Sequence, residues 1–201
     1  MAKGRWKLSI PSVGILIFGL SLFGLGEAFL VQSKLGNSPW TVLSQGVALH
    51  ANLNLGWSTF WISCAVLLLW FPLREKPGFG TLLNIIVIAL ALQIGVDFLP
   101  LQEAFPIQLL FAIIGIGCVG VASALYISSG LGPGPRDGLM TGVHKKTGIR
   151  IGRVRLGIET LVLTAGGLLG GRIGLGTALF ALFIGQSIAV SFGILARLTH
   201  K

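Results

Sequence analysis

Charged residues are scarce in this sequence. They make up only 10% of the 201 residues, and only six of them are acidic. Soluble domains carry about 25% charged residues, so the chain has too little ionisable surface to fold as a soluble globular domain. The shortage of acids also leaves few side chains that could serve in acid–base chemistry or as metal ligands.

Cysteines and catalytic motifs are scarce as well. The two cysteines, Cys64 and Cys118, lie far from any CxxC spacing, which argues against a disulfide framework or a zinc site. The chain contains no HExxH and no GxxxxGK[ST], and its one GxGxxG pattern, Gly115–Gly120, lies inside an apolar run without a βαβ context. We therefore expect no enzyme activity, no cofactor and no metal site.

Long apolar runs dominate what remains. The chain is 53% hydrophobic and its mean hydropathy is +0.88. A helix of about 20 residues spans the hydrocarbon of a bilayer, so runs near this length predict transmembrane helices. Six runs are found, at 11–33, 57–72, 81–99, 107–129, 151–170 and 175–195. The fold class predicted is an all-α, polytopic membrane helix bundle.

The sequence repeats itself at a spacing of 96 residues without a gap. Residues 18–98 match residues 114–194 at 20 of 81 positions, and seven of the nine glycines in the first window have a glycine partner. Repeats of this kind indicate two copies of one structural unit. We divide the chain into a basic cytoplasmic N-terminus (1–10), a first membrane repeat (11–100), an extracytoplasmic linker (101–106), a second membrane repeat (107–196) and a cytoplasmic C-terminus (197–201).

A short segment follows the first span of each copy. Residues 39–52 and 135–147 each begin with a proline, which suits the first turn of a helix, and each is too short to span upright. The sequence leaves open whether these helices re-enter the membrane or lie on its surface. Because each copy then has three spans, an odd number, the two copies are predicted to be inverted relative to each other.

The basic residues predict the orientation. With six spans and an inside N-terminus, 13 Lys and Arg residues fall inside, and only Lys34 and Arg172 fall outside. This split follows the positive-inside rule for a bacterial plasma membrane with both termini cytoplasmic, and it gives no reason to expect nucleic acid. An eight-span alternative weakens the split to 10 against 5. Trp6, Trp57 and Trp70 lie near span ends and are expected in the aromatic belt.

Four sequence elements carry a resemblance to a known family. LGNSPWTVL, PGFGTLLN, LGPGPRDGLM and GLGTALFALFIG, in this order, resemble the bacterial YczE-type membrane proteins, which are related to the YitT group. The resemblance covers nearly the whole chain and implies a multi-pass plasma-membrane protein, but it implies no substrate. The chain departs from this family at Thr41, where many relatives carry an acidic residue.

The two corners before the short helices are the candidate substrate site. The glycines allow sharp turns, and a helix that begins at a proline exposes backbone N–H groups that can bind an anion. The structural alternative is that each short helix lies on the membrane surface and anchors the bundle. Arg136 could pair with Asp137 or with a substrate anion. The candidate substrate-binding residues are Ser38, Pro39, Trp40, Gly132, Gly134, Pro135, Arg136 and Asp137.

Two carboxylates lie within predicted spans and are the candidate ion-coupling residues. Glu27 and Glu159 are expected to face the bundle interior, because an ionised carboxylate is costly in lipid. The structural alternatives are a protonated Glu27 that hydrogen-bonds to a neighbouring helix, and a salt bridge from Glu159 to Arg155. A third set of residues, which opens the last span of each copy, is expected to serve helix packing or capping: Gly78, Gly80, Thr81, Gly174, Gly176 and Thr177.

Two functions remain open. A secondary transporter or channel for a small polar or anionic solute predicts a polar cavity between the copies. A scaffold or accessory subunit predicts a packed centre and a binding face for a protein, such as the basic stretch 145–155. The partners expected are the lipid bilayer, a small anionic or zwitterionic solute, and a second copy of the chain or another protein.

Overall fold

The structure is a computed structural model that describes residues 5–199, and within that range every regular element is a helix. Lys3 and Lys201, two of the basic residues assigned to the inside, lie outside the described residues. The elements are α1 (Ile10–Gln32), α2 (Pro39–Ala51), α3 (Leu55–Leu68), α4 (Trp70–Leu73), α5 (Phe79–Phe98), α6 (Phe105–Ser128), α7 (Pro135–Thr147), α8 (Ile151–Leu168) and α9 (Leu175–Thr199). The prediction of an all-α bundle is confirmed.

The helices recur at the spacing of the sequence repeat. The short helix α2 begins at Pro39 and α7 begins at Pro135, and each has 13 residues. Both end at a residue in the left-handed region, Asn52 with φ 52° and Gly148 with φ 73°. The starts of α8 and α9 likewise lie 96 residues after those of α3 and α5. The two copies therefore share their helix pattern as well as their glycines.

Five helices of the described chain are long and apolar enough to cross a membrane: α1, α3 with α4, α5, α6 and α9. The sixth predicted span corresponds to α8, which is helical over 18 residues but carries Arg153, Arg155 and Glu159. Because of these three charged residues, α8 is not classed as a membrane-spanning helix from its length and composition alone.

The helices form two layers, and each layer takes helices from both copies. In the first layer, α1 packs against α5 and α6, and α6 packs against α9. Its core includes Leu20, Leu30, Ile116 and Phe180. The second layer contains α2, α3, α4, α7 and α8, and its core is built around Trp40, Trp70 and neighbouring aliphatic side chains. The space between these layers holds the candidate site.

The corner of each copy binds the start of the last span of the other copy. The backbone N–H of Gly80 donates to the carbonyl of Leu131 at 2.8 Å, and that of Gly176 donates to the carbonyl of Leu35 at 2.7 Å. The two bonds lie 96 residues apart on both partners. Contacts that are exchanged in this reciprocal way are typical of a two-fold relation between the partners.

Glycine is required at these corners by conformation and by space. Gly36 and Gly132 have φ values of 113° and 122°, in the region that favours glycine. A Cβ atom on Gly36 would lie 2.5 Å from the backbone nitrogen of Gly174, and one on Gly132 would lie 3.0 Å from Thr81 Oγ1. The hydroxyl of Thr81 also donates to the carbonyl of Pro133 at 2.8 Å, which fastens the second corner.

Small residues let the second layer pack tightly, and one tryptophan prediction is wrong here. Trp70 was expected in the aromatic belt, but it is 2% exposed and lies against Gly138. Its indole N–H donates to the carbonyl of Pro135 at 2.9 Å, so the buried ring has a hydrogen-bond partner. At the corresponding positions of the other pair, Gly166 packs against the backbone of Val42, so the large and small residues are exchanged.

Each short helix begins and ends near the same end of the bundle. Pro39 of α2 follows Ser38, which hydrogen-bonds Glu27, five residues before the end of α1. The last turn of α2 and Asn52 line a surface depression with Val31 and Val96, near the ends of α1 and α5. Five residues at a rise of 1.5 Å each place Glu27, and with it the start of α2, about 7 Å further into the bundle than the end of α1.

The same holds for α7 at the other end. Asp137 in its first turn bonds Tyr126, near the end of α6, and Lys145 in its last turn pairs with Glu75 at 2.6 Å. We call this end of the bundle the basic end, because it holds Arg5, Arg74, Lys76, Lys145, Lys146 and Arg150. The opposite end holds Lys34, Glu103 and Arg172.

Candidate functional site

A cavity of about 160 Å³ lies between the two layers. Its lining comes from long helices of both layers and from the first turns of both short helices. The residues that line it are Phe23, Glu27, Ser38, Pro39, Trp40, Ser63, Asn84, Ile88, Val119, Ser123, Tyr126, Ile127, Gly134, Arg136, Asp137, Met140, Arg155, Glu159, Phe180, Ile184 and Ile188.

The cavity follows the internal repeat. Seven pairs of lining residues stand 96 positions apart, so 14 of the 21 residues have their counterpart in the same lining. Glu27 corresponds to Ser123, Trp40 to Arg136, and Ser63 to Glu159. The cavity therefore lies on the interface of the two copies, with the same positions lining it from both sides and different chemistry at most of them.

Glu27 is the most buried of the acidic groups in the lining, with 2% of its surface exposed. The Ser38 hydroxyl lies 2.8 and 2.7 Å from its two carboxylate oxygens, and the Thr41 hydroxyl donates to Oε2 at 2.7 Å. These bonds join α1 to the first turn of α2. The carboxylate is thus satisfied by hydroxyl donors, and no Lys or Arg of the described chain forms an ion pair with it.

The second copy makes the corresponding connection with the groups exchanged. There the first span supplies the hydroxyl, because Tyr126 of α6 donates to the Asp137 carboxylate in the first turn of α7. The counterparts in the first copy are Leu30 and Thr41, so this link could not be inferred from the repeat. Asp137 forms no ion pair with Arg136, and the structural alternative of an Arg136–Asp137 pair is not found among the described residues.

Arg136 lines the cavity from the first turn of α7. Its guanidinium lies over the ring of Trp40, 5.1 Å from the centroid, which is cation–π geometry across the two copies. The guanidinium of an arginine keeps its positive charge in proteins, and Glu27 and Asp137 are near enough to act on it electrostatically.

Glu159 has the salt bridge that its helical spacing predicts. Arg155 Nε lies 2.9 Å from Glu159 Oε1, one turn along α8. Both side chains are partly exposed and line the cavity. The Arg155–Glu159 pair of α8 is therefore turned toward the cavity, where two charged side chains cost less than in contact with lipid, whereas Arg153, near the start of the helix, is exposed.

The site predicted from the sequence is largely brought together here. Eight of the ten candidate substrate-binding and ion-coupling residues line the cavity: Glu27, Ser38, Pro39, Trp40, Gly134, Arg136, Asp137 and Glu159. The other two have structural contacts instead. Gly132 packs against Gly78 and Thr81, and the Pro135 carbonyl accepts the indole N–H of Trp70.

The candidate packing residues lie where each copy meets the other. Thr81 accepts from the N–H of Gly78 at 3.0 Å, and Thr177 accepts from that of Gly174 at 3.3 Å, so both cap the last span of their copy. Gly80 and Gly176 make the reciprocal backbone bonds to the two corners.

The sequence reasoning missed several polar lining residues, and Tyr126 and Asn84 show why. Tyr126 is the only tyrosine in the chain, and a lone phenol in an apolar run is a signal that a buried polar partner exists. Asn84 is not among the candidate residues, and its counterpart in the second copy is the apolar Phe180, yet both line the cavity. A comparison of the two copies finds shared positions more readily than it finds polar groups present in one copy only.

Comparison with known proteins places the chain in a family. A family model described as a family of unknown function (DUF6198) matches residues 10–192. An uncharacterised protein of Haemophilus influenzae (strain Rd) is 47% identical over 199 residues, covering 99% of this chain and 91% of that protein. The uncharacterised membrane protein YczE of Bacillus subtilis (strain 168) is 34% identical over 191 residues, covering 93% and 85%.

No solved structure matches the chain. The prediction of a YczE-type protein, made from the corner motifs, is confirmed by these matches. Together with the five apolar helices, they establish a multi-pass membrane protein. The chain belongs to the DUF6198 family and is a relative of the YczE-type membrane proteins.

Proposed function

We propose that the protein is a secondary transporter or channel for a small polar or anionic solute, which binds between two inverted copies of the repeat. The cavity is the observation that carries the proposal. It has charged and hydroxyl groups in the middle of an otherwise apolar bundle, and lining of this kind is costly unless it serves a ligand or a water-filled path. Its lining comes from both copies, as in transporters built from repeats.

The inverted arrangement is supported by the reciprocal corner contacts and by charge. If α8 crosses the membrane beside the cavity, the chain makes six crossings, and α2 and α7 become re-entrant helices that dip in from opposite sides. The basic end then faces the cytoplasm of a bacterial plasma membrane, since Lys and Arg are enriched there. Irregular backbone at the corners is tolerated at depth because it is buried in protein.

Glu27 and Glu159 are the proposed sites of coupling to a cation or a proton. Both line the cavity on helices that the proposal places across the membrane, and each belongs to a different copy. Glu27 is bound by hydroxyl groups only, so a change in its charge would be felt directly by the start of α2. Glu159 shares its charge with Arg155, which a bound solute could also approach.

The proposal is tested by combining ligand binding with uptake. The purified protein is screened for thermal stabilisation by small anions, amino acids and vitamin-like compounds, because a ligand of the folded state raises stability by mass action. Each compound that stabilises is then offered, labelled, to proteoliposomes. We expect saturable uptake for at least one compound, with lower uptake in Arg136→Ala and Glu159→Gln.

A matched pair of substitutions tests the location. Ser123→Phe fills the cavity from α6, whereas Ser128→Phe makes the same change at an exposed position of the same helix. Uptake should be lost in the first variant and kept in the second. A well-folded protein that binds none of the compounds, or binds without uptake, would overturn the transporter proposal and favour the accessory subunit, for which a packed centre was expected.

A further inference from the structure

We infer that the ligand of the cavity is a small carboxylate with a short apolar tail, bound through Arg136. This inference rests on the proposed function and names the class of solute. Arg136 differs from the other charged residues of the lining because it has no hydrogen-bond partner among the described residues. Five charged side chains line the cavity, and four of them have hydrogen-bond partners: Glu27, Asp137, Arg155 and Glu159.

The Arg136 guanidinium has no hydrogen-bond or ion-pair partner among the residues that the structure describes. It makes a cation–π contact with the ring of Trp40. A guanidinium carries five N–H donors in a planar fork that matches a carboxylate with two parallel bonds. The Trp40 ring lies beside the guanidinium, and no hydrogen bond from a described residue uses these donors, so they remain for a ligand. Glu27 and Asp137 are near enough to act on this charge electrostatically, but neither is hydrogen-bonded to the guanidinium, so its donors remain for the oxygens of a ligand.

The rest of the lining sets the size and the tail of the ligand. A cavity of about 150 Å³ holds a molecule of roughly benzene size, that is, about six heavy atoms. Away from the charged groups the wall is apolar, formed by Ile88, Val119, Phe180, Ile184 and Ile188. A short aliphatic chain buries its surface there, whereas sulfate or phosphate would present polar oxygens to this wall without donors.

Isosteric ligands test this inference. Propionate and propionamide have the same shape and number of heavy atoms, and only propionate carries the charge. In thermal titrations at constant pH and ionic strength, propionate should stabilise the protein and propionamide should not. Charge-assisted hydrogen bonds contribute about 1.5–3 kcal/mol, so Arg136→Gln should weaken propionate binding by at least about tenfold.

Two further variants keep the test decisive. Arg136→Lys retains the charge without the planar fork and should give intermediate affinity, which also covers the case in which Arg136→Gln fails to fold. Arg153→Gln removes an arginine at an exposed position of α8 and should bind as the parent does. Equal stabilisation by propionamide, stabilisation by inorganic phosphate in place of propionate, or unchanged affinity in Arg136→Gln would each overturn the inference.

The two proposals fail in different ways. If another kind of solute is taken up and propionate does not bind, the carboxylate assignment is wrong and transport stands. If propionate binds through Arg136 and no tested compound is taken up, the ligand class stands and transport does not.

A second inference comes from packing that the two copies do not share. In the first copy, α3 packs on α5: Gly56 N–H donates to Gln93 Oε1 at 2.9 Å, and a Cβ on Gly56 would lie 2.8 Å from the Ala89 carbonyl. The positions that correspond to Gly56 and Ala89 are Gly152 and Gly185. A Cβ on either of these would meet no heavy atom within 4 Å, and α8 does not pack on α9 in a comparable way.

We infer that α3 with α5 and α8 with α9 are two equivalent gates between the layers, one closed and one open in this structure. The open gate lies on the side of the basic end, where α8 begins. In the alternate state α8 closes on α9 at Gly152 and Gly185, while α3 leaves α5. Rocking of one layer against the other is how repeat-built transporters expose a fixed site to each side in turn.

Disulfide trapping tests the gates in a background with Cys64 and Cys118 replaced by alanine. Cysteines at Gly152 and Gly185 should form an intramolecular cross-link under mild oxidation, because a disulfide requires Cα atoms within about 7 Å and the alternate state brings these positions together. The control pair, at the exposed Gly157 and Gly193, should not cross-link. Absence of the 152–185 cross-link, or a cross-linked dimer in its place, would overturn the gate.

Uptake provides a second test of the gates. Once a solute is known, the cross-link should arrest its uptake, and a reductant should restore it. Cross-linking itself is measured without any solute, so a failure to find transport and a failure of the gate are separate results.

Discussion

Each carboxylate that links a first span to a short helix is held by a hydroxyl group. Glu27 accepts from Ser38 and Thr41, and Asp137 accepts from Tyr126. The carboxylate is on the span in one copy and on the short helix in the other. The two copies therefore share the connection between these helices but not the residues that form it. Glu27 in the first copy and Asp137 in the second have the same structural role.

The bond between Thr41 and Glu27 can be measured by a double-mutant cycle. Thr41→Val keeps the shape of the side chain and removes the donor, leaving one bond fewer on a buried carboxylate. We expect a loss of about 1.5–3 kcal/mol in the free energy of unfolding, measured by denaturant titration in detergent. In a Glu27→Gln background the same substitution should cost clearly less. Equal costs in both backgrounds would show that the two side chains are not coupled.

The helix pattern shows how far the sequence could predict this fold. Pro39 and Pro135 set the starts of the short helices, and the glycine corners set their depth, because few other residues satisfy those turns. The third helix begins at Leu55, two residues before the predicted Trp57, since Asn54 accepts from the Trp57 N–H and caps it. Local chemistry therefore determines the elements and most of their boundaries.

The cavity was only partly predictable, for a different reason. Its charged corner residues stand out in an apolar chain. The pairing of Tyr126 with Asp137, the burial of Trp70 and the gap between α8 and α9 depend on how helices distant in sequence pack. Trp70 near a span end has the same local pattern as a belt tryptophan, and only the glycine opposite it creates the space that it fills.

The contact between Trp70 and Gly138 makes a prediction for one helix pair. Gly138→Ala places a methyl group against the buried ring, and overpacking of this kind costs about 1–3 kcal/mol. Gly152→Ala adds the same methyl group at an exposed position and should leave the melting temperature in detergent unchanged or slightly higher. A Gly138→Ala protein as stable as its parent would show that α4 and α7 can separate at no cost.

At the scale of the whole molecule, the two layers each combine helices of both copies, and the site lies between the layers. A movement of one layer against the other therefore changes contacts that involve both copies. Whether such a movement can open the cavity to each side of the membrane in turn depends on the topology, and the topology can be measured without knowing the ligand.

Single cysteines at Asn54 and Thr147 decide the topology, in a background without Cys64 and Cys118. Both positions are exposed and lie near the C-terminal end of a short helix: Asn54 follows α2, and Thr147 is the last residue of α7. If the copies are inverted, a membrane-impermeant maleimide should label Asn54→Cys in intact cells, and Thr147→Cys only after permeabilisation. Labelling of both from the cytoplasmic side would mean that the short helices cross fully, giving eight spans in two parallel copies. The gates inferred above would then lie at one side of the membrane, and alternating access through them would be impossible.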